Sequence, residues 1–582
     1  MKTEKLPATD VVIIGSGWAG GVAAAELTKA GYQVVCLERG ADRQREDFYA
    51  SKDELRYLAR HELYKDLSGE TYTTRNRPGE EAIPLRRHQT DMLHDEGTGG
   101  TGVHWAGQTD RYLPFDFEVE QRLKKKHGED SIPADMTVQN WGITYEELEP
   151  YYDKFEKTVG VGGRQSSLGG KHSAAYPNPP MKEMPMMRLF REAAEKLGYH
   201  PYPIPAATMS EAYTNPDGES LNSCVYCGFC SGYGCGYNAK ADPINTVLAT
   251  AKKTGNFELR NHAYVSRILY EGNQATGVLY IDTRTGKKYE QPATLVVSAA
   301  FTFGNTRLLL LSGIGEPYQP ETKQGVIGKN ITAHYNNLSI KAGSVGFFDN
   351  QKFNSYVGAG GLGTVIDDFN PEHLQEQGAD FLHGFQLSIS QTGAGAISSN
   401  EVPQNTPAWG TAFKKASLYY THRNLTVGTL NSCLPRAHNF MDLDPVYKDT
   451  FGDPLLRLTV RFTDQERNML RYTNEKSREL LQEMGADIIN ASEDPNHTEF
   501  SQFSVHNHTA GGVVMGASPA TSAVNNFSQM WDMENLFVIG ASSFPHTSCY
   551  NPTGTIGALA YRAAEGMIHY LQGNAELLIE SK

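Results

Sequence analysis

The chain has 582 residues, of which 39% are apolar, and it carries a formal net charge of −14. This length corresponds to about two to four domains of ordinary size, so the chain is long enough to bury a substantial core. The acidic balance argues against a nucleic-acid partner, because a protein that binds phosphates needs a basic face, and it favours a small-molecule substrate.

The sequence also argues against direct membrane insertion. No run approaches the ~20 apolar residues that a membrane-spanning helix needs. Near the amino terminus the longest apolar run, Val11–Ile14, is too short for a signal-peptide core, and no twin-arginine pair precedes it. We therefore expect that export of this chain would depend on a partner.

The amino-terminal segment has the pattern of a βαβ nucleotide-binding unit. Residues 10–14 (DVVII) predict a strand buried on both faces, and the glycine-rich turn of residues 15–20 (GSGWAG) leads into a helix of small residues. A second buried strand, residues 34–37, ends at Glu38. The glycines permit a tight turn, close approach of a pyrophosphate and close helix–strand packing, and Glu38 suits an adenosine ribose. The unit predicts a dinucleotide site without separating FAD from NAD.

A second glycine-rich turn and a helix start follow. Residues 95–108 (DEGTGGTGVHWAGQ) contain a His-Trp pair, His104 and Trp105. Residues 144–147 have the Thr-x-x-Glu pattern of a capping box and predict the start of a helix. The acid-rich residues 145–157 indicate a solvated helix face more than a binding site.

Four of the seven cysteines lie within twelve residues, at Cys224, Cys227, Cys230 and Cys235. A disulfide framework would spread its cysteines along a short secreted chain, so this clustering points to a metal. Thiolates select zinc or iron–sulfur clusters. Structural zinc usually takes two CxxC pairs separated by a longer loop, whereas the overlapping C-x2-C-x2-C run is typical of ferredoxins. We therefore favour an iron–sulfur centre, with zinc and an empty redox motif as alternatives.

Residues 331–495 differ in pattern from the segments on either side. Residues 456–462 (LRLTVRF) alternate apolar and polar positions, which predicts a half-exposed antiparallel strand, and residues 381–390 and 417–429 are also strand-like. A second capping box at residues 463–466 predicts a long helix. We expect a sheet backed by helices here and assign this region as the substrate-binding domain.

The carboxyl-terminal region contains three further motifs. His506 and His508 shortly precede residues 511–516 (GGVVMG). They are followed by residues 535–545 (NLFVIGASSFP) and 551–560 (NPTGTIGALA).

Together, these segments resemble those of the glucose-methanol-choline (GMC) oxidoreductases, and the resemblance covers nearly the whole chain. It is carried by the glycine-rich turn, by the carboxyl-terminal motifs and by residues 308–315 (LLLLSGIG), which fit the family's second signature. Within the family, the chain resembles the FAD/iron–sulfur flavoprotein subunits of the gluconate 2-dehydrogenase type. That likeness rests on residues 107–114 (GQTDRYLP), 141–150 (WGITYEELEP) and 224–230 (CVYCGFC).

The resemblance implies an α/β FAD-binding domain of the Rossmann type and an α+β substrate domain built on an antiparallel sheet. Because nucleotide-binding segments come from both ends of the chain, the FAD-binding domain must be discontinuous. We assign it residues 1–330, which include the iron–sulfur segment 224–235, and residues 496–582, with the substrate-binding domain at residues 331–495. The residues expected to contact FAD are Gly15, Gly17, Trp18, Gly20, Glu38, Arg39, Gly99, Gly100, Gly102, His104, Val265, Gly540, Ala541, Asn551 and Thr553.

The resemblance also implies the catalytic residues. His508 stands where the family keeps its catalytic base, and Asn551 stands at the partner position. A neutral imidazole can accept a hydroxyl proton near neutral pH, while Asn551 would donate a hydrogen bond to the same oxygen. A buried, structurally satisfied His508 is the alternative interpretation, and His506 is a neighbouring candidate.

Two cofactor questions stay open at this point. Some relatives attach FAD covalently through a histidine in a turn like residues 101–105, so His104 either bonds the flavin or packs against it. Related sugar dehydrogenases hold a three-iron cluster (3Fe-4S) with three cysteines. Cys224, Cys230 and Cys235 fit that spacing best, and the additional Cys227 leaves a 4Fe-4S cluster as the second option.

The expected function is a dehydrogenase that oxidises a secondary alcohol of a sugar acid or sugar. Hydride would pass to flavin N5, and electrons would leave through the cluster to a cytochrome c subunit. Alternatives are a sugar 3- or 5-dehydrogenase of the glucoside or fructose type, an oxygen-using oxidase, and a catalytically silent electron-transfer flavoprotein. Arg111 and Arg471 are candidate cations for a substrate carboxylate.

The resemblance further implies a partner and a location. A small subunit that bears the export signal would accompany the chain to the periplasmic side of the inner membrane. There the complex would be peripheral, with membrane contact only through partners. A cytoplasmic location is the alternative.

Overall fold

A computed structural model of the chain describes residues 3–49, 52–85, 94–334, 343–374, 380–393, 395, 397, 400–491, 508–573 and 577–579. Within these ranges, no helix combines the length and the hydropathy that a membrane span requires.

The regular elements of these ranges divide into strands and helices. The strands are Glu4–Lys5 (β1), Thr9–Ile14 (β2), Val34–Leu37 (β3), Tyr72–Arg75 (β4), Ile83–Pro84 (β5), Tyr202–Pro203 (β6), Tyr213–Thr214 (β7), Ser220–Leu221 (β8), Phe257–Arg260 (β9), Ala263–Glu271 (β10), Gln274–Asp282 (β11), Lys288–Ser298 (β12), Thr332–Ala333 (β13), Ser344–Phe347 (β14), Gly363–Ile366 (β15), Phe385–Ser390 (β16), Asn424–Asn431 (β17), Phe440–Lys448 (β18), Pro454–Thr459 (β19), Ile488–Ala491 (β20), Thr509–Ala510 (β21) and Leu536–Val538 (β22). The α-helices are Trp18–Lys29 (α1), Pro114–Phe117 (α2), Val119–His127 (α3), Tyr145–Val159 (α4), Pro185–Lys196 (α5), Val247–Lys253 (α6), Phe301–Ser312 (α7), Gly410–Tyr420 (α8), Asp464–Glu483 (α9) and Thr553–Leu571 (α10).

The first large sheet confirms the predicted α/β nucleotide-binding architecture. Its strand order is β10-β11-β12-β2-β3-β9, and β1 and β22 also pair with β12. Strands β2, β3, β9, β12 and β22 run parallel. The apolar residues of β2 and β3 are buried on both faces of the sheet, as their sequence predicts. The carboxyl ends of these parallel strands therefore meet at one edge.

The turn from β2 into α1 depends on two glycines. Gly15 has φ +98°, and a Cβ atom there would lie 2.6 Å from the carbonyl oxygen of Ala299. A Cβ atom on Gly20 would lie 2.0 Å from the carbonyl oxygen of Gly15. Any side chain at either position would push α1 away from the strand end.

The second large sheet is antiparallel throughout, in the order β20-β14-β17-β16-β15-β6. This confirms the expected antiparallel sheet. Strand β6, at residues 202–203, joins this sheet although it precedes residue 331. The domain boundaries at residues 330 and 495 stay predictions.

Two strand predictions in this region need correction. Residues 417–420 form the last turn of helix α8, and the strand begins only at Asn424. Tyr419 and Tyr420 have high β propensity, but they continue the helix that begins at Gly410. Likewise, residues 381–384 precede the strand, which begins at Phe385.

Of the alternating residues 456–462, only residues 456–459 belong to β19, which ends at Thr459 and lies in a separate four-stranded sheet of order β18-β19-β4-β5. Leu456 and Leu458 are fully buried, whereas Arg457 on the opposite face pairs with Asp442 at 2.8 Å. The prediction of a half-exposed strand is confirmed only in part, because Leu455 and Thr459 on the face of Arg457 are also buried. Strand β19 pairs antiparallel with β18, as predicted, and also in parallel with β4.

Both capping boxes are confirmed. The backbone N–H of Thr144 donates to Glu147 at 2.8 Å before α4, and the N–H of Thr463 donates to Glu466 at 2.7 Å before α9. Each box satisfies N–H groups that a helix start leaves unpaired.

Replacing Gly20 with alanine tests the packing of the β2–α1 turn. The new Cβ would meet backbone at 2.0 Å, so we expect Gly20→Ala to lower the free energy of unfolding and the content of bound FAD. Overpacking of this kind costs about 1–3 kcal/mol. In the control Gly69→Ala the Cβ would meet only the Thr450 side chain, at 3.6 Å. Denaturation curves and flavin absorbance measure both effects, and equal behaviour of the two variants would contradict the expectation.

Candidate active site

A cavity of about 650 Å³ lies between the carboxyl edge of the parallel strands and the antiparallel sheet. Its volume is that of a cofactor and ligand pocket. The predicted residues that line it are Gly15, Gly17, Trp18, Glu38, Arg39, Gly100, Gly102, His104, Val265, His508, Gly540, Ala541, Asn551 and Thr553. Of the others, Gly20 packs behind the wall against Gly15, and the N–H of Gly99 donates to Ser16 Oγ at 3.2 Å. His506 lies outside the described residues.

The end of the cavity at α1 fits the phosphates of a dinucleotide. Gly17 is the N-cap of α1 and has no side chain to occupy the first N–H groups of the helix. A Cβ atom added to Gly17 would approach no closer than 3.9 Å to its nearest neighbour, the carbonyl oxygen of Gly99, so the space above it is open. The positive end of the helix dipole therefore faces the cavity.

Glu38 is fixed at the edge where a ribose would bind. Its Oε2 accepts from the N–H of Ser16 at 3.1 Å and from Ser16 Oγ at 2.8 Å, and its Oε1 accepts from the N–H of Gly40 at 3.0 Å. The carboxylate is buried and oriented by these donors, and each oxygen can accept a further hydrogen bond.

Arg39 lies beyond Glu38 and is neutralised by acidic neighbours. Its guanidinium pairs with Glu70 at 3.1 Å and with Glu96, and Glu96 also accepts from buried Lys65 at 2.5 Å. Because this charge is balanced within the protein, Arg39 shapes the cavity wall more than it attracts an anion.

The His104–Trp105 turn forms the opposite wall. Burial, with the nearby charges of Lys240 and Arg43, lowers the pKa of His104 to about 3, so the ring is neutral. Its Nε2 is buried and has no hydrogen-bond partner among the described residues. The Trp105 indole N–H donates to the carbonyl oxygen of Ala241 at 2.8 Å and anchors the turn. A neutral, cavity-lining imidazole is thus available to a bound group.

Asn551 is held by two acceptors and differs from the expected donor role. Its Nδ2 donates to Gln108 Oε1 and to Asp110 Oδ2, each at 2.7 Å. With both amide hydrogens committed inside the protein, the group that Asn551 can offer to a ligand is its amide oxygen, an acceptor. Burial raises the pKa of Asp110 to about 6, although the hydrogen bonds from Asn551 oppose this shift.

His508 lies against a second histidine that the sequence analysis missed. The Nδ1 atoms of His508 and His334 are 2.9 Å apart, and His334 Nε2 lies 2.6 Å from the carbonyl oxygen of Ser548. His334 is fully buried. No local pattern marked it, because its contacts are with residues more than 170 positions away.

The antiparallel sheet supplies a wall of hydroxyl side chains. Ser388 and Ser390 on β16 and Thr426 on β17 line the cavity together with Thr392. Alternate residues of a strand share one face, which explains why positions 388 and 390 point the same way. Short hydroxyl side chains can both donate and accept, which suits a ligand with several hydroxyl groups.

The cysteine loop, residues 224–235, adjoins the His104–Trp105 turn. The N–H of Gly232 donates to the carbonyl oxygen of His104 at 2.8 Å, and Ser231 lines the cavity. Cys230 is buried, whereas Cys224, Cys227 and Cys235 are half-buried. Among the described residues, no three of these sulfurs lie within 4.8 Å of one another.

The side chain of Lys240 links the cysteine loop to the His104–Trp105 turn. Its fully buried ammonium donates to the carbonyl oxygens of Trp105 and Cys230, each at 2.8 Å, and of Tyr233 at 2.9 Å. These carbonyls satisfy all three N–H groups but supply no full negative charge. Burial lowers the pKa of Lys240, which the nearby cysteines oppose.

A buried Asp-His-His cluster near the site is a hydrogen-bond network. Asp116 Oδ1 lies 3.0 Å from His383 Nε2 and 3.2 Å from His546 Nε2. The indole N–H of Trp141 donates to His546 Nδ1 at 3.2 Å, which places the His546 proton on Nε2. A metal at Nε2 would need that nitrogen unprotonated, so Trp141 excludes metal binding by His546 in this arrangement.

Neither arginine proposed for a substrate carboxylate lines the cavity. Arg111 is buried and pairs with Glu156 through two contacts, at 2.6 and 2.7 Å, and with Glu149 at 2.9 Å. This pair also corrects the view of α4 as a solvated face, because Glu156 is only 3% exposed. Arg471 lies on α9 and bonds Asn468.

Comparisons with known proteins agree with this geometry. Models described as GMC oxidoreductase match residues 135–336 and 435–560, and a model described as FAD binding domain matches residues 10–51. The gluconate 2-dehydrogenase flavoprotein of Pantoea cypripedii is 38% identical over 99% of this chain and 96% of its own length.

Two further proteins extend the comparison. The 2-methyl-1,2-propanediol dehydrogenase of Mycolicibacterium austroafricanum is 30% identical over 97% of this chain and 96% of its own length. Among solved structures, pyridoxine 4-oxidase from Mesorbium loti superposes with a TM-score of 0.60 at 19% identity, covering 96% of this chain and 99% of that chain. At this identity the superposition shows the shared fold alone.

The raised pKa of Asp110 predicts a pH dependence of stability. Its pKa is about 6 in the folded protein, against an ordinary value of 3.8. Between these values the unfolded chain releases the proton that the folded protein keeps, so the contribution of Asp110 to stability falls as pH rises and is lost above about pH 6. Asp110→Asn removes this titration. We expect its free energy of unfolding, relative to wild type, to rise by up to about 3 kcal/mol from pH 4 to pH 6.

Urea unfolding of both proteins at steps from pH 4 to pH 8 measures that difference. The matched control is Asp532→Asn, which changes an exposed carboxylate in the same way. A pH-independent difference for Asp110→Asn would refute the assignment.

Proposed function

Because this chain belongs to the GMC oxidoreductase family, FAD-dependent enzymes that act on CH–OH groups, we propose that it is a dehydrogenase of polyhydroxy compounds. Its substrate would be a sugar acid of the gluconate type, oxidised at a secondary alcohol, or a sugar. The observation that carries this proposal is the convergence of His508, Asn551 and a hydroxyl-lined wall on one cavity.

The proposed roles follow from the donors and acceptors present. His508 would take the proton of the reacting hydroxyl as its general base. The amide oxygen of Asn551 would accept from a neighbouring hydroxyl and so orient a vicinal diol rather than bind the reacting oxygen itself. Bound FAD supplies the hydride acceptor. Two relatives are named for activity on gluconate and on a 1,2-diol, which supports a substrate with adjacent hydroxyl or carboxyl groups.

Three alternatives use the same scaffold. A sugar 3- or 5-dehydrogenase of the glucoside or fructose type would place a different carbinol against His508. An oxidase would return electrons to oxygen directly. It would have no use for an electron exit in the cysteine loop beside the His104–Trp105 turn. A catalytically silent flavoprotein is disfavoured by a histidine and an oriented Asn551 at one cavity.

For the cysteine loop we propose a 3Fe-4S cluster held by Cys224, Cys230 and Cys235. Backbone N–H groups reach these three sulfurs: Tyr226 donates to Cys224 at 3.3 Å, Ala239 to Cys235 at 3.4 Å, and Gly360 to Cys230. Such bonds stabilise cluster thiolates. The buried ammonium of Lys240 would offset their negative charge, and Cys227 would be the extra thiol. The cluster supplies a one-electron exit.

His104 is proposed to carry the flavin covalently. The support is its neutral ring in the cavity wall, with an Nε2 that no described residue occupies. A close contact without a bond is the alternative for the same position.

A cytochrome c subunit is proposed to dock at the cysteine loop. Val225 and Tyr356 are 54% and 71% exposed, and the strand-like bridge between Cys227 and Gly358 brings them to the same surface. Exposed apolar side chains beside an electron exit suit a transient redox partner. We further propose that a small export subunit takes the complex to the periplasmic side of the inner membrane.

Anaerobic reduction tests the catalytic proposal. The flavin of the wild-type holoenzyme should bleach with one or more sugars, sugar acids or vicinal diols, and less with matched mono-alcohols. His508→Ala should keep its FAD but reduce it at least ~100-fold more slowly, because the general base is lost. His127→Ala, on the exposed end of α3, is the matched control and should behave as wild type. Unchanged reduction by His508→Ala would end the base assignment, and peroxide formation under air without another acceptor would favour the oxidase.

Iron analysis tests the cluster proposal. Serine at position 224, 230 or 235 should abolish bound iron and slow reduction of cytochrome c, while flavin reduction by substrate continues. Cys227→Ser should keep the iron, as should the control Cys433→Ala, which changes a buried cysteine outside the loop. Wild-type protein that contains zinc or no metal would refute the cluster, and loss of iron in Cys227→Ser would replace the three-ligand site by a four-ligand one.

A further inference from the structure

His334 and His508 are brought side by side by a short antiparallel ladder. Strand β13 pairs with β21, so that Ala333 lies opposite Thr509 and Thr332 opposite Ala510. The next positions in this register are 334 and 508. The backbone pairing, and not side-chain packing alone, therefore sets the two imidazole rings 5.0 Å apart between centroids at 76°.

The hydrogen bonds fix which nitrogen of each ring carries a proton. A carbonyl oxygen can only accept, so His334 Nε2, 2.6 Å from the carbonyl of Ser548, must donate. His334 is fully buried, and burial lowers its pKa to about 4, so the ring is neutral near pH 7 and its Nδ1 carries a lone pair. His508 Nδ1, 2.9 Å from that lone pair, must then donate. The lone pair of neutral His508 is consequently on Nε2.

We propose that His334 is a positioning residue that fixes His508 in the Nδ1–H tautomer and so makes Nε2 the atom that accepts the substrate proton. This inference rests on the proposed role of His508 as the general base. The His334 acceptor favours the form of His508 that is protonated on Nδ1, and in the other form Nε2 carries the proton and could not act as a base. Ser548 lies three positions before Asn551, so the segment that anchors His334 also carries the other residue that orients the substrate.

Glutamine and phenylalanine at position 334 separate hydrogen bonding from shape. A glutamine amide places an acceptor oxygen and a donor nitrogen on one carbon, as the two ring nitrogens of histidine flank Cε1, and can bond both His508 and Ser548. Phenylalanine keeps the ring but offers neither group. His334→Phe should therefore release the tautomer of His508, whereas His334→Gln should retain it.

The tautomer is read directly by nitrogen NMR of the holoenzyme labelled with ring-15N histidine, with the His508 signals identified by their absence in His508→Asn. Wild type and His334→Gln should show a protonated Nδ1 and an unprotonated Nε2 at His508, and His334→Phe should show both tautomers. This measurement needs no substrate. A wild-type His508 protonated on Nε2 would overturn the inference.

Stopped-flow reduction of the flavin gives the functional readout. In His334→Phe the limiting rate should fall ~10- to 100-fold, with the substrate dissociation constant and FAD content unchanged, because a base in the wrong tautomer cannot take the proton. His334→Gln should recover most of that loss. The inference would be overturned if His334→Phe reduced the flavin as fast as wild type, or if His334→Phe and His334→Gln lost the same fraction of the rate. Either result would leave the role of His508 intact. Failure of every CH–OH compound to reduce the wild type would instead refute the proposed function, and the NMR result would still decide the tautomer.

Discussion

The structure depends on the parallel pairing of β12 with two strands from opposite ends of the chain. Val296 and Val297 of β12 pair with β2 on one side and with β22 on the other. This register brings the ends of three distant segments to one edge of the sheet, where the glycine turn, residues 299–300 and residues 539–541 form one continuous wall. The discontinuous site exists only because these strands align in parallel.

Two buried arginines are balanced by acidic neighbours inside the protein. Arg39 is paired with acidic residues, and Arg111 is held by Glu156 through two contacts. Removing one partner of such a pair leaves an uncompensated buried charge, which costs several kcal/mol, about 3–5. The described part of the cavity offers its ligands the Glu38 carboxylate, the dipole of α1, hydroxyl groups and the neutral imidazole of His104. A ring such as His104, kept neutral by burial, can act as a nucleophile or an acceptor, which an imidazolium cannot.

The sequence predicted the features that local chemistry decides. The turn glycines and the two capping boxes follow from backbone sterics and unpaired N–H groups within a few residues, and both were found where expected. The fate of Arg111 was not predictable, because only the folded chain shows that Glu156 is its partner. The helical state of residues 417–420 was likewise hidden by their own β propensity. The contact of His334 with His508 depends on a strand register between residues 174 positions apart, and no local sequence pattern predicts that register.

The ammonium of Lys240 has a consequence for how the protein matures. It links a carbonyl of the His104–Trp105 turn to two carbonyls of the cysteine loop. The N–H of Gly232 in that loop adds a second hydrogen bond to the same turn. Ordering either segment therefore orders the other. By thermodynamic linkage, if binding at one segment raises the affinity of the other segment for its own group, the reverse effect has the same factor. Loading of FAD and of the proposed cluster would then be mutually reinforcing, and a chain lacking either one would hold the other more loosely.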